Sequence, residues 1–74
     1  MARAIIERKD ISQVGFCLYE LWEIDDDDKK VDMRCLSPVP LVEGKRRPRD
    51  VEIAKRFLYA DARDRNLVII REAE

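Results

Sequence analysis

The sequence predicts an α+β domain. The expected architecture is a small antiparallel sheet of roughly three to four strands, in the chain order β-β-β-α-β, with one helix at about residues 48–65 packed on one face. Three observations carry that expectation. Residues 16–24 and 31–36 are rich in aromatic and β-compatible types and flank a short polar segment, the pattern of a hairpin. Residues 48–65 open on Pro48 and carry apolar side chains at helical spacing. Leu67 to Ile70 is an unbroken apolar run, which suits a strand with both sides partly covered.

The first strand is expected over residues 3–9, followed by a turn from Asp10 to Gly15, where glycine gives the backbone freedom. The second strand, 16–24, has a helical competitor. Ile11, Val14, Leu18, Leu21 and Trp22 also fall at helical spacing, and Asp10 with Gln13 could form a capping box. Strand is preferred, because a helix over 11–24 would contain Gly15 and end on four aspartates, against its own dipole. Pairing Ile24 with Val31 sets Trp22 opposite Met33, on a face that Phe16 and Leu18 continue. The third strand should end near Ser37, since Pro38 and Pro40 cannot donate to a ladder. Leu41 to Arg47 reads as a linker containing Gly44.

In the helix, Val51, Ile53, Ala54, Phe57, Leu58, Ala60 and Ala62 form a broad apolar arc. Asp50 and Glu52 complement its N-terminal dipole, and Asn66, which tolerates left-handed backbone, marks its end. One helix can cover one sheet face. The Trp22 face is the expected core, which leaves Cys17, Tyr19 and Leu21 as a second contact surface.

Composition bounds the function. A chain of 74 residues is a single small domain, residues 1–74, with a thin margin of core burial over chain entropy. It is 46% hydrophobic and 42% charged, yet its net charge is only −1. That balance argues against disorder and against a general nucleic-acid binder, which is strongly basic. No apolar run approaches the roughly 20 residues a membrane span needs, so no membrane partner is expected and the expected location is cytoplasmic. Two cysteines are too few for a secreted disulfide framework. In the register above they lie on opposite sides of the sheet and should not bridge.

No catalytic residue, metal site or cofactor is expected. The chain has no histidine, which removes the commonest general base and metal ligand. Cys17 and Cys35 alone cannot complete a tetrahedral metal site and read as small buried hydrophobes. Asp25 to Asp28 invites a calcium reading, but an EF-hand loop counted from Asp25 puts Lys30 where glycine is needed and Leu36 where glutamate is needed. A solvated hairpin tip explains the run more simply. Asp25 to Lys29 also matches the enteropeptidase cleavage sequence. Its place between two strand-like runs makes this a coincidence of composition.

Lys45, Arg46, Arg47 and Arg49, with Lys55 and Arg56 beyond them, are the strongest chemical signal. They precede and enter a helix N-terminus, a place that favours anions. The cluster could hold a phosphate of a nucleic acid or small ligand. It lacks P-loop glycines and interleaved aromatics, and a solvated linker is the competing reading. Asp61, polar at the centre of the helix's apolar arc, is expected to pair with an arginine such as Arg65.

The leading expectation is a protein-binding domain without catalytic activity: an adaptor, an inhibitor or an assembly subunit. Its expected partner-binding residues are Tyr19, Leu21 and Leu36 with the acidic tip Asp26, Asp27 and Asp28, and a homodimer is one form this takes. The alternative is a nucleic-acid-binding module that uses the basic cluster.

Overall fold

The alternation and punctuation of the sequence are realised as strand β1 (Ala2–Ile11), β2 (Phe16–Ile24), β3 (Lys30–Val42), the short β4 (Lys45–Arg46), helix α1 (Pro48–Asp64) and β5 (Leu67–Glu72). The computed structural model describes residues 1–74, the side chain of Ser12 excepted. The fold is α+β, with one helix on one sheet of five strands in the order β4-β3-β2-β1-β5. Three of the pairings are antiparallel, and β5 joins β1 in parallel. A parallel neighbour requires a crossover, and α1 is that crossover.

β1 and β2 form a hairpin. Its turn is a 3₁₀ segment closed by Gly15 at φ 72°, so the Asp10–Gly15 expectation holds in substance. Residues 16–24 form a strand and not a helix.

β3 departs from expectation by running straight through both prolines. The amide of Leu41 donates to the carbonyl of Gly15, so odd-numbered amides of this stretch face β2. Pro38 and Pro40 occupy the alternate positions, whose missing N–H would have faced the open edge. Trp22 does pair with Met33, but Ile24 pairs with Lys30, because irregularities leave Val31 and Arg34 without partners in β2. The expected linker 41–47 is instead a tight hairpin. Glu43 (φ 54°) and Gly44 (φ 74°) make the two-residue turn that returns β4 along β3.

The helix begins at Pro48, as the sequence indicated, and gives way at Asn66, which takes φ 58°. Its buried stripe is narrower than the expected arc. Ala54, Leu58 and Ala62 lie on one i, i+4 row and are buried, while Ile53 and Phe57 face outward. The two alanines on that row let the helix approach closely. Asp61 pairs with Arg65 at 2.7 Å.

The core lies between this row and Ala4, Ile6, Cys17, Tyr19, Leu21, Val39 and Leu67. This reverses the expected faces: the helix covers the Tyr19 side of β2, not the Trp22 side. Tyr19 and Leu21 are both 0% exposed and cannot serve as a surface for a partner. The route of the chain decides the matter, since the β3–β4 hairpin delivers Pro48 onto the side where Val39 and Tyr19 point.

The reason given for unbridged cysteines also needs correction. Cys17 and Cys35 are free and lie on the same face, where Cys35 packs against the core that contains Cys17. Cys17 pairs with Val39 and Cys35 with Leu21. They are therefore four ladder positions apart, about 13 Å at ~3.3 Å per residue, well beyond disulfide reach.

Candidate functional site

Three regions have the exposure or charge to engage a partner. The first is the sheet face opposite the helix. Cross-strand pairs place Phe16, Leu18, Glu20 and Trp22 of β2 beside Pro40, Pro38, Leu36 and Met33 of β3 on that face. Leu36 and Met33 are exposed, and Phe16, Leu18 and Trp22 are half-buried. Of the expected surface residues, Leu36 is exposed as expected but lies on the Trp22 face, away from Tyr19 and Leu21, whose places on the open face are taken by Leu18 and Trp22. Trp22 is partly covered from within: Lys30 Nζ stands 4.8 Å from its ring centre, and its Nε1 donates to Glu20 at 3.0 Å. Ile5, its cross-strand partner on β1, is almost fully buried.

The second region is the acidic tip. Asp26, Asp27 and Asp28 are exposed, as expected, but the loop is ordered by its own first residue. Asp25 Oδ1 accepts the amides of Asp27 and Lys29, and Asp28 sits at φ 61°. Arg3 binds both the Asp25 carbonyl, at 2.7 Å, and the Asp28 carboxylate, at 2.9 Å. Among the described residues, no group of three or more His, Cys, Asp or Glu side chains is placed to hold a metal ion. The tip and the basic cluster lie at opposite ends of β3, so the two poles do not pair within one chain.

The third region is an open cleft of about 1600 Å³ beside the helix on the covered face. Its apolar lining includes Ile11, Leu41, Val51, Leu67 and Ile69. Four of the six expected basic residues, Lys45, Arg46, Lys55 and Arg56, line it, and Arg8 and Arg63 join them. Arg47 and Arg49 do not. Arg47 pairs with Asp50, Arg56 with Glu52 and Lys55 with Glu72. Tyr59 donates to the other oxygen of Glu72. That bond is the main cause holding the Glu72 carboxyl below its ordinary value, with Lys55 assisting and burial opposing. The same bond is the first cause raising the Tyr59 hydroxyl, followed by burial and the carboxylate's charge.

Behind Arg46 and Glu74, which line the cleft, the buried Tyr19 donates to the main-chain oxygen of Glu74 at 2.6 Å and accepts from Arg46. Arg46 also donates to that oxygen at 2.6 Å, and Arg8 donates to it at 3.4 Å. Sequence reasoning missed Arg8 and the Tyr19 hydroxyl. The contact from Tyr19 to Glu74 spans 55 positions, and no local pattern signals it.

The cysteines offer little reactivity. Burial is the main cause that pushes both thiols up; Asp61 adds to the effect at Cys35 and Arg46 opposes it at Cys17. No family model matches the chain, and no curated protein or solved structure matches it.

Proposed function

We propose that this domain is a protein-binding module without catalytic activity of its own, docking through the sheet face opposite the helix, and that the partner this face takes is a second copy of the chain. The observation that carries the reading is the apolar strip of Phe16, Leu18, Trp22, Met33 and Leu36, over which the chain lays no element. The same face carries charges of both signs, Lys9 and Arg71 with Glu7 and Glu20, so a two-fold axis can set acid against base. Covering the face also supplies burial that a chain of this size lacks. Adaptor and assembly-subunit roles fit such a module, and a cytoplasmic setting suits its two free thiols.

Sedimentation velocity at micromolar concentration tests the reading. The wild-type chain should run as a dimer and Leu36→Lys as a monomer. A monomeric wild type, or a dimer that survives Leu36→Lys, defeats it.

The cleft favours a second reading, a nucleic-acid-binding module, because Lys45, Arg46, Lys55 and Arg56 converge there with Arg8. The ion pairs of Lys55 and Arg56 weaken it by spending much of that charge internally. An affinity for RNA or DNA that falls steeply with salt would promote it.

A further inference from the structure

We propose that the outer face of α1 docks on the same face of a second copy, with the two helices antiparallel about a two-fold axis. This surface lies across the molecule from the uncovered sheet face and does not depend on it. Three observations converge.

The first is an apolar patch that the core leaves out. Phe57 is 68% exposed and Ile53, one turn earlier, is 46% exposed. After Met1, Phe57 is the most exposed large apolar side chain among the described residues. The helix buries its row of Ala54, Leu58 and Ala62 and turns this second row outward.

The second is a pair of charges at the ends of the patch. At 100° per residue, Arg49, Ile53, Phe57 and Asp64 fall within an arc of about 80°. Among the described residues, neither Arg49 nor Asp64 makes an ion pair, whereas Asp50, Glu52, Arg56 and Asp61 around them do. Each also stands at the end of the helix that its charge disfavours, a cation in the first turn and an anion in the last. Arg63, the remaining unpaired charge of the helix, lines the cleft instead.

The third is the symmetry of the arrangement. A two-fold axis at the middle of the helix, between Arg56 and Phe57, sets Arg49 of each copy opposite Asp64 of the other and Ile53 opposite Ala60. Both ion pairs use one span, about 22 Å at 1.5 Å per residue, read in opposite directions. Each arginine then meets a carboxylate and the negative end of the other helix, so both misplaced charges are compensated. The two Phe57 rings come together near the axis, where an aromatic anchor counts most. The seam offers few side chains, so it forms at higher concentration than the sheet-face dimer.

The test uses the Leu36→Lys chain, in which the sheet face cannot associate, followed by sedimentation equilibrium from micromolar to high micromolar concentration at low salt. It should pass from monomer to dimer over that range, and added salt should weaken the dimer. Arg49→Asp or Asp64→Arg, added alone, sets like charges together twice and should weaken association at least tenfold. An equal mixture of those two variants sets unlike charges together twice and should restore it. Both substitutions place charges where the helix dipole favours them, so neither threatens the fold, which circular dichroism checks. Phe57→Glu should keep the chain monomeric. A Leu36→Lys chain that stays monomeric throughout, single reversals that associate as well as their parent, or a mixture no tighter than its components overturns the proposal. A Leu36→Lys chain already dimeric at micromolar concentration defeats the sheet-face reading alone, and the two reversals still decide this one.

Discussion

Alternate residues of β2 meet two different environments. Cys17, Tyr19 and Leu21 are at most 1% exposed under the helix, while Phe16, Leu18 and Trp22, on the other face of the same strand, are only half-buried. Both sets are apolar enough to form a core. Composition therefore does not choose between them; the connection does. The Glu43–Gly44 turn reverses the chain at the end of β3, and Pro48 then starts the helix over the face that holds Val39 and Tyr19. The uncovered set makes do with neighbours: Lys30 and Glu20 cover part of Trp22, whose cross-strand partner Ile5 is buried.

The largest expected effect separates the two faces directly. Leu58→Ala empties a fully buried position at the centre of the covered face. It should destabilise the domain by about 2–5 kcal/mol, a large share of the roughly 4–11 kcal/mol expected at this length. Leu36→Ala on the open face should change the stability of the isolated chain by no more than about 0.5 kcal/mol. Urea denaturation at nanomolar concentration, below association, measures both. Equal losses would mean that the open face is structural core and the comparison is false.

Intermediate in size is the effect of freeing the acidic tip. Arg3 ties the Asp25 carbonyl and the Asp28 carboxylate to β1. Enteropeptidase should cut after Lys29 slowly in the wild type and several-fold faster in Arg3→Ala, and added salt should narrow the gap by screening the Arg3–Asp28 pair. Unchanged rates in Arg3→Ala would show that the Asp25 turn alone orders the loop.

The smallest effect concerns pH. The Glu72 carboxyl is held below its ordinary 4.5 by Tyr59 first and Lys55 second. A lowered folded value contributes stability above the unfolded pKa and loses it as pH falls through the folded one. The Glu72→Gln variant should therefore lose slightly less stability than the wild type on acidification below pH ~4.5. Parallel acid limbs in thermal melts would remove the Tyr59–Glu72 bond from the account.

What the sequence made legible follows the range of the forces involved. Residues 16–24 and Pro48 to Asn66 are set by local rules of alternation, capping and left-handed backbone, and both came through. The prolines of β3 misled, because a missing amide matters only if it points at a neighbour, and edge position is not written locally. Parallel pairing of β5 with β1 joins the two ends of the chain, beyond the reach of any periodicity. The candidate surfaces divide the same way. The exposure of Leu36 and of Asp26 to Asp28 could be read from pattern, though not the face that Leu36 joins, and Lys45 and Arg46 from charge. That Arg46, Arg8 and Tyr19 would meet at the main-chain oxygen of Glu74 needed the whole fold.

The central claim is that the uncovered face is the docking surface, and the single tryptophan lies on it. Its emission should be followed as the protein is concentrated from nanomolar to high micromolar. Burial against a second copy predicts a blue shift whose midpoint coincides with the dimerisation seen by sedimentation, and which Leu36→Lys abolishes. An emission maximum that stays fixed while the protein dimerises would place the interface elsewhere and contradict the account.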